Sequence, residues 1–290
     1  MLDRDAVRRV LIVASHRKPT GQAVARKLAE ILRGQGRTVI EDFESELELE
    51  TVSADLCISC GGDGTILTTA RRMRARPIPT IGINVGKLGF LAEFSDRQVV
   101  DWFDGRLDLP LGLVTRMYLK CTVWSGEQQE VRYGLNDASI QQGLMTKLLN
   151  IDMWVGGRHA VQYRCDGLIV ATPSGSTAYS LSAGGPILTP EIGAFVIAPL
   201  APHTLTDRPV VVGGDQVLEF AIHTPVKACG LVIDGHELIP IGPTSRVRIE
   251  RSETGFPLVS HGERSFFDLL RHKLRWGEKP IDESEPPTVA

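Results

Sequence analysis

Two hydrophobic periods alternate along the first hundred residues. Val10-Leu11-Ile12-Val13-Ala14 is an unbroken apolar run, and short runs of this kind bounded by turn residues read as buried strands. From residue 20 to about 36 the apolar positions Val24, Leu28, Ile31 and Leu32 follow helical spacing, with Thr20 as an N-cap. The same reasoning predicts strands at 38–40, 56–59 and 79–84, and a helix from about 66 to 74. Continuous apolar strands with helices between them imply a parallel α/β sheet covered on both faces. Ligands in such sheets bind at the carboxyl ends of the strands.

From about residue 105 the period changes. Met117, Leu119, Cys121 and Val123 alternate with other side chains, as do Ile151, Met153 and Val155 before Gly156-Gly157. Val217, Phe220 and Ile222, then Leu231-Val232-Ile233 and later Val247 and Ile249, continue a series of short strands with glycine turns. Few windows are helical, so this half reads as all-β. The expected organisation is an α/β domain over 1–104, a β-rich domain over 105–262, and a C-terminal segment over 263–290. That segment is expected to pack back on the first domain through Phe266, Phe267, Leu269, Leu270 and Leu274. Its acidic, proline-rich end, 278–290, is expected to be disordered.

The chain has 290 residues, 42% hydrophobic and 23% charged, enough for one large domain or two ordinary ones. No apolar run approaches the ~20 residues of a membrane span, so no membrane association is expected. A net charge of −3 gives no general attraction for nucleic acid. Five cysteines, and a start Met1-Leu2-Asp3-Arg4-Asp5 without a basic leader, suggest reduced thiols in a cytoplasm. Cys57-x-x-Cys60 resembles half a zinc site, but no second pair stands at zinc spacing. Three positions apart on a strand, the two sulfurs face opposite ways.

Gly61-Gly62-Asp63-Gly64-Thr65 joins the strand at 56–59 to the following helix. Glycines let a ligand lie close to the main chain, and free N–H groups at a helix start attract phosphate. The only charged side chain offered is an acid. Such a loop suits a carboxylate working beside phosphates, on a hydroxyl proton or on a metal ion.

A second dense stretch runs from Asp166 through Thr172-Pro173-Ser174-Gly175-Ser176-Thr177-Ala178-Tyr179-Ser180 to Gly184-Gly185-Pro186. Its hydroxyls and N–H groups could hold phosphate or ribose, and Tyr179 could stack on a base; an ordinary capped turn is the alternative. Asn136-Asp137 reads either as a grip on ribose and adenine or as an Asx turn. His203 reads as structural. Lys147 and Arg164 read either as neutralising phosphate or as solvated-face cations; Arg71, Arg72, Arg74 and Arg76 read chiefly as solvated helix charges, with polyphosphate steering as the lesser reading. There is no Walker A loop, no Gly-x-Gly-x-x-Gly after the first strand, no Gly-x-Ser-x-Gly elbow and no paired-histidine zinc motif.

In this order the motifs resemble the NAD kinase family. The resemblance rests on residues 61–65, on Gly82-Ile83-Asn84-Val85-Gly86-Lys87-Leu88-Gly89-Phe90-Leu91, on Asn136-Asp137, and on residues 166–186. Pro202-His203-Thr204-Leu205-Thr206-Asp207-Arg208-Pro209 and Asp234-Gly235 complete it. It implies transfer of the γ-phosphoryl of ATP, or in some members polyphosphate, to the adenosine 2′-hydroxyl of NAD. A divalent cation, usually magnesium, is implied with the nucleotide. So are a cleft between an α/β and a β domain, and a homodimer or homotetramer in which a neighbour completes part of the site. Carried over by position, Asp63 is the proton acceptor, beside Gly64 in the NAD site, while Gly61, Gly62, Gly64 and Thr65 form the phosphate loop. Asn136, Asp137, Lys147, Arg164, Asp166, Thr177, Ala178, Tyr179, Ser180, Leu181, Ser182 and His236 fall at NAD-site positions. His236 stands where many members carry glutamine, Asp137 where glutamate is commoner, and Ser174 where threonine is common. A lipid or sugar kinase with a similar glycine-aspartate loop, and a non-catalytic dinucleotide sensor, are the rival readings.

Overall fold

A computed structural model describes residues 2–15, 18–86, 88–107, 111–142, 148–223 and 229–277. Lys147 and residues 278–290 lie outside them. The chain opens with β1 (Arg9–Ala14), α1 (Pro19–Gly34), β2 (Thr38–Asp42), β3 (Leu56–Cys60), α2 (Asp63–Met73), β4 (Thr80–Ile83), α3 (Asp96–Phe103) and β5 (Gly112–Arg116). The first helix begins at Pro19, a residue whose fixed φ and missing N–H suit that position. Thr20 therefore lies inside the first turn, and the cap position belongs to Lys18. Gly21, Ala25, Leu28, Ala29 and Leu32 form the buried stripe of α1. A side chain at Gly21 would stand 2.9 Å from the Cys60 carbonyl oxygen, so the helix start is pressed against the end of β3. Helix α3 was not anticipated from periodicity; Ser95 and Gln98 close a capping box at its start.

Twelve strands follow: β6 (Leu119–Ser125), β7 (Gln128–Gly134), β8 (Asp137–Gln142), β9 (Leu149–Val155), β10 (Arg158–Cys165) and β11 (Gly167–Ala171), then, after the four-residue helix α4 (Tyr179–Ser182), β12 (Ala194–Leu200), β13 (Val210–Gly213), β14 (Leu218–Ile222), β15 (Cys229–Ile233), β16 (Glu237–Ile241) and β17 (Ser245–Arg251). The chain then returns as β18 (Phe256–Ser260) and α5 (Phe266–Leu274).

Three six-stranded sheets result. The first has the order β2-β1-β3-β4-β18-β5. It is parallel through β4, and β5 pairs antiparallel with β18, so the sheet is mixed rather than wholly parallel. The division expected at residues 104 and 262 does not follow this sheet. Both β5 and β18 belong to it, because the chain makes the β half as an excursion and then comes back. Periodicity reveals that a strand is half-buried, not which sheet it joins.

The other two sheets, β10-β9-β14-β17-β6-β7 and β13-β12-β11-β8-β15-β16, are antiparallel and pack face to face. Cys121, Val123, Phe220 and Val247 of one meet Ile140, Leu168, Phe195 and Leu231 of the other in one buried core. The third sheet also buries its outer face. Ile169, Ala171, Val196 and Ala198 are covered there by Leu188 and Ala183, which fixes the segment after β11 against the sheet. In the first unit, Cys57 and Cys60 enter separate cores on opposite faces of the sheet. Burial pushes the thiol pKa up at both, which leaves them inert packing groups. Among the described residues no helix is long and apolar enough to cross a membrane.

Candidate active site

The site begins where β3 ends. Gly62 holds φ +117°, a conformation that favours glycine, and Asp63 is the first residue of α2. The Gly62 carbonyl accepts from the N–H groups of Thr65 and Ile66, closing the first helical turn. The Asp63 carboxylate does not hang free. Its Oδ2 accepts from Phe90 N–H at 2.7 Å, and its Oδ1 from Leu91 and Ala92 N–H, each at 3.0 Å. A methyl group added at Gly89 would overlap this carboxylate. The two glycine signatures thus form one unit, with the acid of the first holding the backbone of the second. Asp63 also lines an open cavity of about 630 Å³ with Lys18, Thr20, Gly61, Gly62, Asn84, Gly86 and Lys273. The last of these comes from α5, which is seated by Phe266 against Phe90 at 6.2 Å and by Lys273 over the Phe90 ring at 4.6 Å.

Facing it, the β half builds a second tethered segment. Asp234, in the turn after β15 at φ +48°, accepts from Leu135, Asn136 and Asp137 N–H at 3.1, 2.8 and 3.2 Å. Thr172 grips the same segment from the other side: its hydroxyl donates to the Leu135 carbonyl at 2.6 Å, and its N–H to the Asn136 carbonyl at 2.8 Å. Gly175 lies so close to Asn136 that a side chain there would strike its backbone. Asn136-Asp137 and the segment after β11 are therefore neighbours, as Asp137 pairs with Ala171 across the strands. Asp137 is 5% exposed. Burial first, and then the nearby Asp234 charge, push its carboxyl pKa up to about 7. Burial raises Asp234 too, against the pull of its three N–H donors and of Arg71. Residues 174–177 form a 3-10 turn that leads into α4, where Tyr179 is exposed and the Ser180 hydroxyl is buried without a partner.

The predicted residues divide into groups. Thr177, Ala178, Tyr179, Ser180, Leu181 and Ser182 lie just beyond the Asn136-Asp137 end of β11. Arg164 and Asp166 lie at its other end, where Gly167 pairs with Gln141. Asp166 and Thr172 stand at either end of the five-residue strand β11, roughly 20 Å apart at strand rise. His236 lies elsewhere again. With Nδ1 on the Asp234 carbonyl at 2.9 Å, it lines a cavity of about 370 Å³ shared with Lys18, Gly64, Thr65, Thr68, Arg71 and Arg72. The reading of Arg71 and Arg72 as solvated charges is corrected by the fold. The face of α2 away from the first sheet looks toward the β half, so the Arg71 side chain is only 5% exposed, while Arg72 pairs with Asp42 at 2.5 Å. Neither Lys18 nor Lys273 is singled out from sequence, and Gly89 enters there only as part of the 82–91 signature. Lys18 lies four positions past Ala14, at the carboxyl-end side of the first strand, and that placement was the available signal.

A carboxylate at a glycine-lined helix start and an amide–acid pair on a β-sandwich, linked through Arg71 and Asp234, suit phosphoryl transfer to a nucleotide hydroxyl. Residues 15–103 match the ATP-NAD kinase N-terminal domain, and residues 135–261 the ATP-NAD kinase C-terminal domain. An NAD kinase of Rhodopirellula baltica is 36% identical, covering 92% of this chain and 86% of its own length. One from Geotalea daltonii is 32% identical, covering 94% and 100%. Among solved structures, an Archaeoglobus fulgidus NAD kinase in complex with ATP superposes with a TM-score of 0.73 at 26% identity, covering 92% of this chain and 98% of its own. A yeast NADH kinase complexed with NADH shares the fold at TM-score 0.79 and 22% identity, covering 94% and 89%. The chain belongs to the NAD kinase family, and its activity is phosphorylation of NAD.

Proposed function

We propose that Asp63 takes the proton of the adenosine 2′-hydroxyl of NAD as that oxygen attacks the γ-phosphorus of ATP. The new O–P bond gives NADP, the bond to the β-phosphate oxygen breaks, and ADP leaves. A ribose hydroxyl is a weak nucleophile at neutral pH, and a positioned acceptor contributes roughly 10²- to 10⁴-fold. One observation carries the assignment: the Asp63 carboxylate stands in an open cavity at a helix start, its direction fixed by three backbone N–H groups. The backbone of Gly61, Gly62, Gly64 and Thr65 would receive the donor's phosphates, supported by Lys18. Asn136 and Asp137 would hold the adenosine, with residues 177–182 as its second wall and Tyr179 against the base.

Among the described residues no group of three or more His, Cys, Asp or Glu could hold a metal ion. That donor set fits magnesium carried on the phosphate oxygens better than a protein cage. When bound, the ion neutralises phosphate charge; this chain's own part is to orient the hydroxyl and accept its proton. Arg164 and Asp166, a strand length from Asn136, fit a site completed in a homodimer or homotetramer, where they serve a neighbouring copy. The five thiols, all buried and unpaired, fit a cytoplasmic chain.

The test is purified protein with ATP, magnesium and NAD, followed for NADP. Product from wild type, and turnover reduced about 10³-fold in Asp63→Asn with a little-changed KM for NAD, is the expected result. Near-normal turnover in Asp63→Asn would falsify the acceptor role. NAD binding without product would favour a sensor. Turnover of a lipid or sugar hydroxyl in place of NAD would move the chain to another kinase class.

A further inference from the structure

Arg71 is a buried cation whose partners do not satisfy it. Its side chain is 5% exposed, and Nε and Nη1 have no hydrogen-bond partner. The nearest carboxylate oxygen, Asp234 Oδ2, lies 3.8 Å from Nη1, beyond hydrogen-bond reach. Nη2 reaches only the Thr68 hydroxyl, at 3.4 Å. Leaving guanidinium N–H groups dry and unpaired is costly, more so than for neutral donors. The folded chain carries that cost beside a cavity of about 370 Å³, which Arg71 lines with Lys18, Arg72, Thr65 and Thr68. The Thr65 hydroxyl is likewise buried without a partner. Unfilled donors along one eleven-residue helix, Thr65 in its first turn and Arg71 in its last, with further cations around them, describe a receptor for a multiply charged anion.

Resting on the kinase reading above, we propose that Arg71 is a binding residue for the phosphate chain of the phosphoryl donor, and that Asp234 is the residue that positions it. Asp234 is anchored by three backbone N–H groups of the β half, so it fixes the guanidinium from that side, at 3.8 Å from Nη1, without forming a hydrogen bond to it. A planar fork in that position can bridge two phosphate oxygens; an ammonium cannot. Arg71 serves the donor, and its loss should leave the grip on NAD intact.

The experiment is steady-state kinetics with each substrate varied, on wild type, Arg71→Lys, Arg71→Met and Thr65→Val, with melting temperatures alongside. Arg71→Met should raise the KM for ATP at least tenfold while the KM for NAD stays within about twofold, in line with a lost charge-assisted pair. Arg71→Lys should fall between, and Thr65→Val should raise the KM for ATP a few-fold. Inorganic tripolyphosphate should compete with ATP on wild type and lose affinity in Arg71→Lys. An unchanged KM for ATP in Arg71→Lys and Thr65→Val overturns the proposal. So does a parallel rise in both KM values with a lowered melting temperature, the mark of a purely structural arginine. Should Arg71→Met fail to fold, the lysine and valine variants decide. Absence of NADP from wild type would instead overturn the kinase reading itself.

Discussion

Asp63 and Asp234 do the same thing in different surroundings. Each carboxylate collects three consecutive backbone N–H groups from a remote segment: residues 90–92 for Asp63 and residues 135–137 for Asp234. Each sits at a turn whose neighbouring glycine has positive φ, and each shapes one wall of the cleft. Asp234 is sealed, with no exposed side-chain surface and Arg71 behind it. Asp63 opens onto a cavity of about 630 Å³. A carboxylate with three N–H donors is thus a fastening device in this fold, and access is what turns one copy of it into a reactive group. Removing each acid should therefore have opposite signatures.

The largest expected effect is on Asp63. In Asp63→Asn the amide oxygen can still accept from two of the three N–H groups of residues 90–92, so melting temperature should fall modestly while turnover falls about 10³-fold. The opposite pattern belongs to Asp234→Ala, which strands Arg71 and frees three N–H groups. Loss of one partner from a buried charged pair costs about 3–5 kcal/mol, and a denaturant titration should show it. A comparable stability loss in both variants, with comparable residual turnover, would erase the distinction. A smaller effect is expected from Gly89→Ala, whose methyl group must displace the Asp63 carboxylate. Overpacking costs about 1–3 kcal/mol, and because the shift falls on the acceptor, turnover should drop more than stability predicts.

How much of this was readable beforehand differs between the walls. The glycine loop, its strand and its helix followed from apolar runs and residue type, since local sequence decides each of them. Cys57 and Cys60 facing opposite ways followed from strand period alone. The tether from Asp63 to residues 90–92 did not, because it spans 27 to 29 positions and depends on β3 and β4 being adjacent. The return of β18 to the first sheet, the inward turn of Arg71, and the separation of Asp166 from Asn136 are likewise properties of topology. Asp166 and Asp137 look like two parts of one site in sequence, yet they stand at opposite ends of paired strands. Matching motifs by position names residues; only strand pairing says which of them share a wall.

The smallest effect, and the most specific, concerns Asp137, on the buried side of the comparison. With its carboxyl pushed up to about 7, it is neutral below that pH and ionised above it. Hydrogen-bond donors of the adenosine need the ionised acceptor, so the KM for NAD should rise as pH falls below about 7, approaching tenfold per unit. Stability should run the other way. In the unfolded chain an aspartate ionises near pH 3.9, so between there and about 7 the folded state holds the extra proton. Unfolding is then favoured as pH rises through that window. Asp137→Asn should flatten both profiles, weakening NAD binding at pH 8 while removing the loss of stability between about pH 4 and 7. A KM for NAD that stays level from pH 8 to pH 6 in wild type would show that Asp137 is not the acceptor.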